Sequence, residues 1–350
     1  MVKRFAFAVP GDLATPTGGY AYDRRMITEL GHFGWQIDLL DLGEGFPCPN
    51  EATRTTAQTR LLATPAGRII VVDGLALGVL PEAASQLAGR NPLLALLHHP
   101  LALEWGLSAE LAGALRTSER AALAAVQGVV VTSAATARLV ASDYGVPAER
   151  IMVARPGSDP APLAQGGQDG VVRLLSVGAV VPRKGFDVLI TALATLKDLS
   201  WQLTIAGDRT RDRNAAAQLD AVIARHALEN RVAVLGAVWP QRLAALYAEA
   251  DLFVLASYFE GYGMAYAEAV AHGLPVIGTH AGAIADTVPP DAGLLVEPGD
   301  IPAFAGALRR VIGDADLRRR LANAARAAAP QLPTWRQSAE VFARALETLA

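Results

Sequence analysis

The sequence has one cysteine, Cys48, in 350 residues, few aromatics (6%) and no excess of either charge, with 31 Lys and Arg against 34 Asp and Glu. A single cysteine excludes an intrachain disulfide and leaves no thiolate cluster for a structural metal, so the chain fits a reducing compartment. A net charge of -3 argues against neutralising the phosphates of DNA or RNA. The balance also holds locally: residues 1–165 carry 13 basic and 15 acidic side chains, the remainder 18 and 19, so neither end reads as a charged tail. Long apolar runs are missing too. The most apolar segment, "RIIVVDGLALGVL", is broken by Arg68 and Asp73, short of the roughly 18 residues a spanning helix needs. At the amino end, "MVKRFAFAVPGD" has about six apolar residues before Pro10, fewer than a secretory core, and reads as a first buried strand. A cytoplasmic protein is expected, and attachment to the inner face of a membrane stays open.

What is present is alternation. Short apolar or β-branched runs at 4–9, 36–42, 68–73, 93–99, 128–133 and 151–155 are separated mostly by Ala/Leu-rich stretches of helical period, such as "YDRRMITELGHFG". The scheme repeats at 172–178, 201–207, 231–236, 251–257, 275–279 and 293–298. Strand and helix in alternation imply an α/β chain with two doubly wound parallel sheets, and 350 residues leave room for two such domains. "PGSDPAPLAQGGQDG" (156–170), rich in Pro and Gly, reads as the linker. The expected division is 1–160, 161–332 and a carboxyl-terminal helix, 333–350, packing back on the first domain. Between 301 and 350 two amphipathic patterns are separated by "PQLPTW".

In open parallel sheets ligands bind at the carboxyl ends of strands, which singles out "FEGYGMAYAEAVAHGLPVIGT" (259–279). "DLFVLAS" is a strand, "YFEGYG" its exit loop, "MAYAEAVAH" a helix and Gly273 its left-handed stop. Glu260 then lies in the loop and Glu268 on the helix. The amides of Tyr262, Gly263 and Met264 point from the helix start toward an anion or hydroxyls. Acid/base carboxylates of glycoside hydrolases face a bond from opposite sides and come from different elements. These two share one loop-helix unit, which suits two contacts along one extended ligand, since carboxylates are strong acceptors for sugar or ribose hydroxyls. The bland alternative is that Glu260 caps the helix and Glu268 is solvated.

"EGYGMAYAEAVAHGLPVI" closely resembles the signature of the retaining, nucleotide-sugar-dependent glycosyltransferases of family 4, with Tyr262 in place of the usual Phe. The resemblance covers nearly all of the second half and scattered points of the first. It implies a GT-B fold, two Rossmann-like domains facing a central cleft. It also implies that Glu260 contacts the transferred sugar, Glu268 holds the ribose, and the amides of Tyr262, Gly263 and Met264 bind sugar hydroxyls and the diphosphate.

In "VGAVVPRKGF", Lys184 matches the family's lysine, Ala179 stands where an arginine is usual, and Arg183 takes over from the neighbouring position. These two cations would stabilise the departing nucleoside diphosphate. Gly18 and Gly19 in "TPTGGYAYDRRM" resemble the Gly-Gly loop that lets the donor approach, and His98 with Pro100 matches the family's H-x-P, whose histidine bonds the donor sugar. No Asp-x-Asp stands at a strand exit, so neither metal nor cofactor is expected. The implied activity is transfer with retention from a nucleotide-sugar, most often a UDP-sugar in this family, to a hydroxyl of a lipid such as diacylglycerol or of a cell-surface glycan intermediate. A GT-B epimerase or phosphorylase-like enzyme, and a non-catalytic nucleotide-sugar-binding subunit, are the alternatives.

Overall fold

A computed structural model describes residues 3–167 and 169–350; Met1 and Val2, and Gln168 within the stretch read as a linker, lie outside the described residues. All twelve apolar runs are strands. The first six are β1 (Lys3–Val9), β2 (Trp35–Asp41), β3 (Ile69–Asp73), β4 (Leu93–Leu97), β5 (Gly128–Val131) and β6 (Ile151–Val153). They form one parallel sheet in the order β2-β1-β3-β4-β5-β6. The second six are β7 (Val172–Val177), β8 (Trp201–Ala206), β9 (Val232–Val234), β10 (Leu252–Val254), β11 (Val276–Thr279) and β12 (Gly293–Val296), parallel in the order β12-β11-β10-β7-β8-β9.

β3 and β4 are buried at every position, as are all three residues of β10, because helices cover both faces of a parallel sheet. That is why these strands read as continuous apolar runs rather than as alternation. Each sheet has a point where the strand order reverses: between β1 and β3 in the first, and between β7 and β10 in the second. The loops leaving neighbouring strands diverge there and open a crevice at the carboxyl ends.

The chain divides into two compact units, Met1–Gly157 with Pro333–Ala350, and Ser158–Leu332. Ser158, Asp159 and Pro160, assigned to the first domain from sequence, belong with the second. The stretch read as a linker is pinned to that unit: Ala164 donates its amide to His272 (2.8 Å), Gln165 to Ala248 (2.9 Å) and Gly167 to the Asp251 carboxylate (3.1 Å). The pattern 301–329 is two helices, Ile301–Gly313 and Ala315–Ala328, because Asp314 ends one and caps the next, accepting from the amides of Asp316 and Leu317 at 2.9 Å.

The terminal helix Trp335–Glu347 starts at a capping box formed by Thr334 and Gln337. It packs against the helix Gly18–His32. Trp335 lies 6.1 Å from the Tyr22 ring, beneath the Arg25 guanidinium at 5.1 Å, and the Ser338 hydroxyl donates to the Arg155 carbonyl. Because Trp335 is buried, Trp335→Ala is expected to destabilise the first unit by about 3–5 kcal/mol. Chemical denaturation checks this, and a loss below 1 kcal/mol would show that the helix is only loosely attached.

Candidate active site

In the second unit the exits of β7 and β10 flank the point of reversal. β7 runs into a single turn, Pro182–Lys184, then into Gly185 (φ 61°), which begins the helix Phe186–Ala194. A Cβ on Gly185 would stand 2.1 Å from the carbonyl oxygen of Ala256, just past β10, so the two exits approach this closely only because the residue is glycine. The approach sets Lys184 and Arg183 against Glu260. Lys184 Nζ donates to Glu260 Oε1 at 2.6 Å, the Ser257 hydroxyl donates to the same oxygen at 2.7 Å, and Arg183 lies 3.3 Å from Oε2. Arg183 also donates to the Phe259 carbonyl (2.6 Å). Burial alone would push the Glu260 carboxyl up, but Lys184 and Arg183 outweigh it and hold the group down at about 2. The three side chains therefore carry a net charge of about +1 at neutral pH.

The backbone of Glu260 is fixed as well. Its carbonyl accepts the Ala283 amide at 2.9 Å, and Gly282 (φ 61°) passes so near that a Cβ would lie 2.1 Å from the same oxygen. Gly263 begins the helix Met264–Ala271, whose first turn has no side-chain cap, so Glu260 is not the helix cap. Gly273 closes it in the left-handed region (φ 71°), as expected. Glu268 is half-buried on this helix and accepts a hydrogen bond from the Tyr247 hydroxyl at 2.9 Å. Burial, with Asp159 nearby, raises its carboxyl, and the Tyr247 bond pulls the other way. It is thus neither solvated nor joined to the Lys184 cluster.

In the first unit, Gly18 and Gly19 open the helix Gly18–His32, with Thr17 as its cap. A Cβ on Gly19 would lie 3.2 Å from His98 Cδ2. His98, just past β4, points Nε2 at Asp23 Oδ1 (3.2 Å) and Asp73 Oδ2 (3.6 Å), while the Tyr22 ring meets it edge-on at 5.5 Å. Asp23, Asp73 and His98 each bring one ligand-type atom within 4.8 Å of the others. A protonated imidazole between two carboxylates already supplies the counter-charge such a group needs. His99 turns elsewhere, 3.4 Å from Glu104.

Arg183, Lys184 and Glu260 thus form one cluster, Glu268 a separate contact on the following helix, and Gly19 with His98 a group in the other unit. Sequence reasoning missed Asp23, Asp73, Ser257 and Tyr247. The first two carried a signal: Asp23 shares the buried helix face with Tyr22, Met26 and Leu30, and Asp73 ends an otherwise apolar strand. A carboxylate in such a place needs a partner. Tyr247, 21 residues before Glu268, carried none.

Residues 165–328 match the family described as glycosyl transferases group 1, and residues 12–157 match the glycosyl transferase 4-like domain. The chain is 27% identical over 332 residues to the MMP alpha-(1->4)-mannosyltransferase of Mycolicibacterium hassiacum, covering 87% of this chain and 77% of that one. It is 31% identical over 219 residues to the D-inositol 3-phosphate glycosyltransferase of Nocardia farcinica, covering 58% of this chain but only about half (49%) of that relative. Among solved structures, Anabaena HepE, determined in complex with UDP-glucose, superposes with a TM-score of 0.77 over 98% of this chain and 99% of its own, at 21% identity. Matched in both units and sharing this two-sheet architecture with solved relatives, the chain is a glycosyltransferase, an enzyme of the GT4-like group 1 family with the GT-B fold.

Proposed function

We propose that the chain transfers a sugar, with retention of anomeric configuration and without a metal ion, from a nucleoside-diphosphate sugar to a hydroxyl of a sugar or polyol. The observation that carries the proposal is the Arg183–Lys184–Glu260 cluster, net positive and buried at the β7/β10 reversal, on the loop that leads into an uncapped helix start. A diphosphate leaving group needs positive charge placed before the bond breaks, because reorienting dipoles during the reaction would add to the barrier. Glu260 keeps both cations in place. Held ionised at about 2, it has no proton to give at neutral pH, so its role is acceptance of sugar hydroxyls and not acid catalysis. Glu268, oriented by Tyr247, is the acceptor for ribose hydroxyls. The amides of Tyr262, Gly263 and Met264 would meet the sugar and the diphosphate. In the first unit, Gly19, beside Gly18 at the helix start, leaves the His98 ring room, and His98 offers a hydrogen bond to a sugar hydroxyl.

Retention follows when the acceptor hydroxyl attacks from the face the diphosphate leaves, its proton passing to the leaving phosphate oxygen. A UDP-sugar is the favoured donor, supported by the UDP-glucose complex of HepE. A sugar or polyol acceptor is favoured over a lipid by the inositol phosphate in the second relative's name.

A thermal-shift panel of UDP-, GDP- and ADP-sugars, followed by product NMR, tests the reading. The expected product keeps the donor's anomeric configuration and forms in EDTA; an inverted product, or strict dependence on Mn²⁺, would overturn the mechanism. Lys184→Ala is expected to lower kcat by 10²–10³ with little change in donor KM. Glu268→Gln should raise donor KM roughly tenfold with kcat retained. Wild-type kinetics in both would remove the site.

Stability gives a check that needs no substrate. Burial raises the Glu260 carboxyl, but Lys184, Arg183 and Ser257 together hold it below its unfolded value of 4.5, so the net contribution of the ionised group, roughly 3 kcal/mol, is present above pH 4.5 and is lost as pH falls toward about 2. Denaturation curves at pH 7 and pH 3 should therefore converge for Glu260→Gln relative to wild type; an equal gap at both values would refute the assignment.

A further inference from the structure

Asp23 is a fully buried carboxylate on the helix Gly18–His32, and its Oδ2 has no hydrogen-bond donor among the described residues. A buried ionised carboxylate is costly unless a cation faces it. The cation available is the His98 ring, whose Nε2 lies 3.2 Å from Asp23 Oδ1 and 3.6 Å from Asp73 Oδ2. Asp73 is itself fixed, because its Oδ1 accepts the Leu75 amide at 2.7 Å at the start of the next helical turn. The His98 backbone is held from β5, whose following residue, Thr132, donates its hydroxyl to the His98 carbonyl at 3.2 Å.

We propose that Asp23, backed by Asp73, is a positioning residue that locks the ring orientation and the proton of His98, so that Nδ1–H is presented as a hydrogen-bond donor to a ligand oxygen. The proposal deepens the transferase reading and rests on it for the ligand's identity: an uncharged sugar hydroxyl. Nε2 is spent on the carboxylates, which leaves Nδ1 as the nitrogen for substrate. The His98 side chain is 22% exposed while Asp23 is sealed, so a ligand reaches the ring and not the carboxylates behind it. A neutral His98 with its proton on Nε2 would offer Nδ1 as an acceptor instead, so the hydroxyl would have to turn and donate its own proton. The carboxylates therefore set which of the two chemistries the ring performs.

The charged groups facing His98 are Asp23 from the first helix and Asp73 from the β3 exit; Tyr22 packs edge-on, and the neighbouring His99 is turned to Glu104. Burial alone would strip the ring of its proton, but the two carboxylates reverse this and raise His98 well above the ordinary histidine range.

The test is an NMR titration of the substrate-free protein labelled with [¹³C]histidine, which has six histidines, with the His98 resonance assigned by its loss in His98→Gln. His98 should remain protonated from pH 6 through pH 8 in the wild type. Asp23→Asn should lower its midpoint by at least one pH unit, and Asp73→Asn by less. In the same variant, kcat/KM should fall with the same midpoint as the His98 resonance, at a pH where the wild type holds, and should recover below it. A wild-type midpoint at or below 6.5 overturns the proposal, and so does an unchanged midpoint in Asp23→Asn. A His98 resonance that responds to EDTA or to added Zn²⁺ overturns it in favour of a cation site. If Asp23→Asn fails to fold, the wild-type midpoint and Asp73→Asn still decide. Because the titration uses no substrate, a normal result alongside absent transfer with every nucleotide-sugar would refute the transferase reading and leave the proton assignment standing.

Discussion

The buried contact between Lys184 and Glu260 is the constraint around which the second unit is arranged. A carboxylate this deep, paired at 2.6 Å, survives only if its counter-charges arrive with correct geometry. They come from the exit of β7 and the carboxylate from the exit of β10, strands 75 residues apart in sequence that pair side by side, Leu252 with Leu174 and Phe253 with Leu175. The chain must therefore run out to β9 at the edge and return beside β7. The strand order is the geometric condition for the ion pair, and the left-handed glycines 185 and 282 are its steric condition.

The first unit solves a similar problem with other residues. Its order reverses between β1 and β3, and the exits of β1, β3 and β4 bring the Gly18–His32 helix, Asp73 and His98 together. Here two carboxylates are sunk and one imidazole answers them. The supporting layer is also polar: Glu119, buried beneath the turn that follows His98, accepts the Leu101 amide at 3.0 Å. Burial pushes its carboxyl up to about 7, against the pull of that amide and of Tyr144. The loop carrying His98 is thus anchored by a side chain whose own charge is marginal near neutral pH.

How much of this was legible depended on the range of the interaction. Strand and helix alternation is local, and every apolar run became a strand, because burial on both faces writes itself into consecutive residues. The loop at 259–264 was legible because glycine spacing and a following helix are also local. The partners were not. Nothing in "YAEAD" marks Tyr247 for Glu268, and Ser257 looks like any strand-end serine, because such contacts are made across the fold by residues of ordinary type. Asp23 and Asp73 lie between these cases. Each breaks an apolar pattern, which marks a buried charge, but the pattern does not say that both answer to His98. The segment 156–170 was legible in part: the division between the units falls inside it, after Gly157, but nothing in its Pro and Gly content says that the amides of Ala164, Gln165 and Gly167 are tied to His272, Ala248 and Asp251.

Charge also separates what the two groups attract. Arg183, Lys184 and Glu260 sum to about +1, whereas Asp23, Asp73 and a protonated His98 sum to about -1. A diphosphate is drawn to the first and repelled by the second at any distance within a Debye length, about 8 Å at physiological salt. Under the proposed reading the phosphates are therefore held by the second unit alone. The histidine of the first unit is left to an uncharged oxygen, which it meets through a single directed hydrogen bond. The excess negative charge behind that ring is what keeps it from competing for the phosphate. It does so while the ring remains a donor, because the carboxylates that repel an anion are the same groups that hold the proton in place.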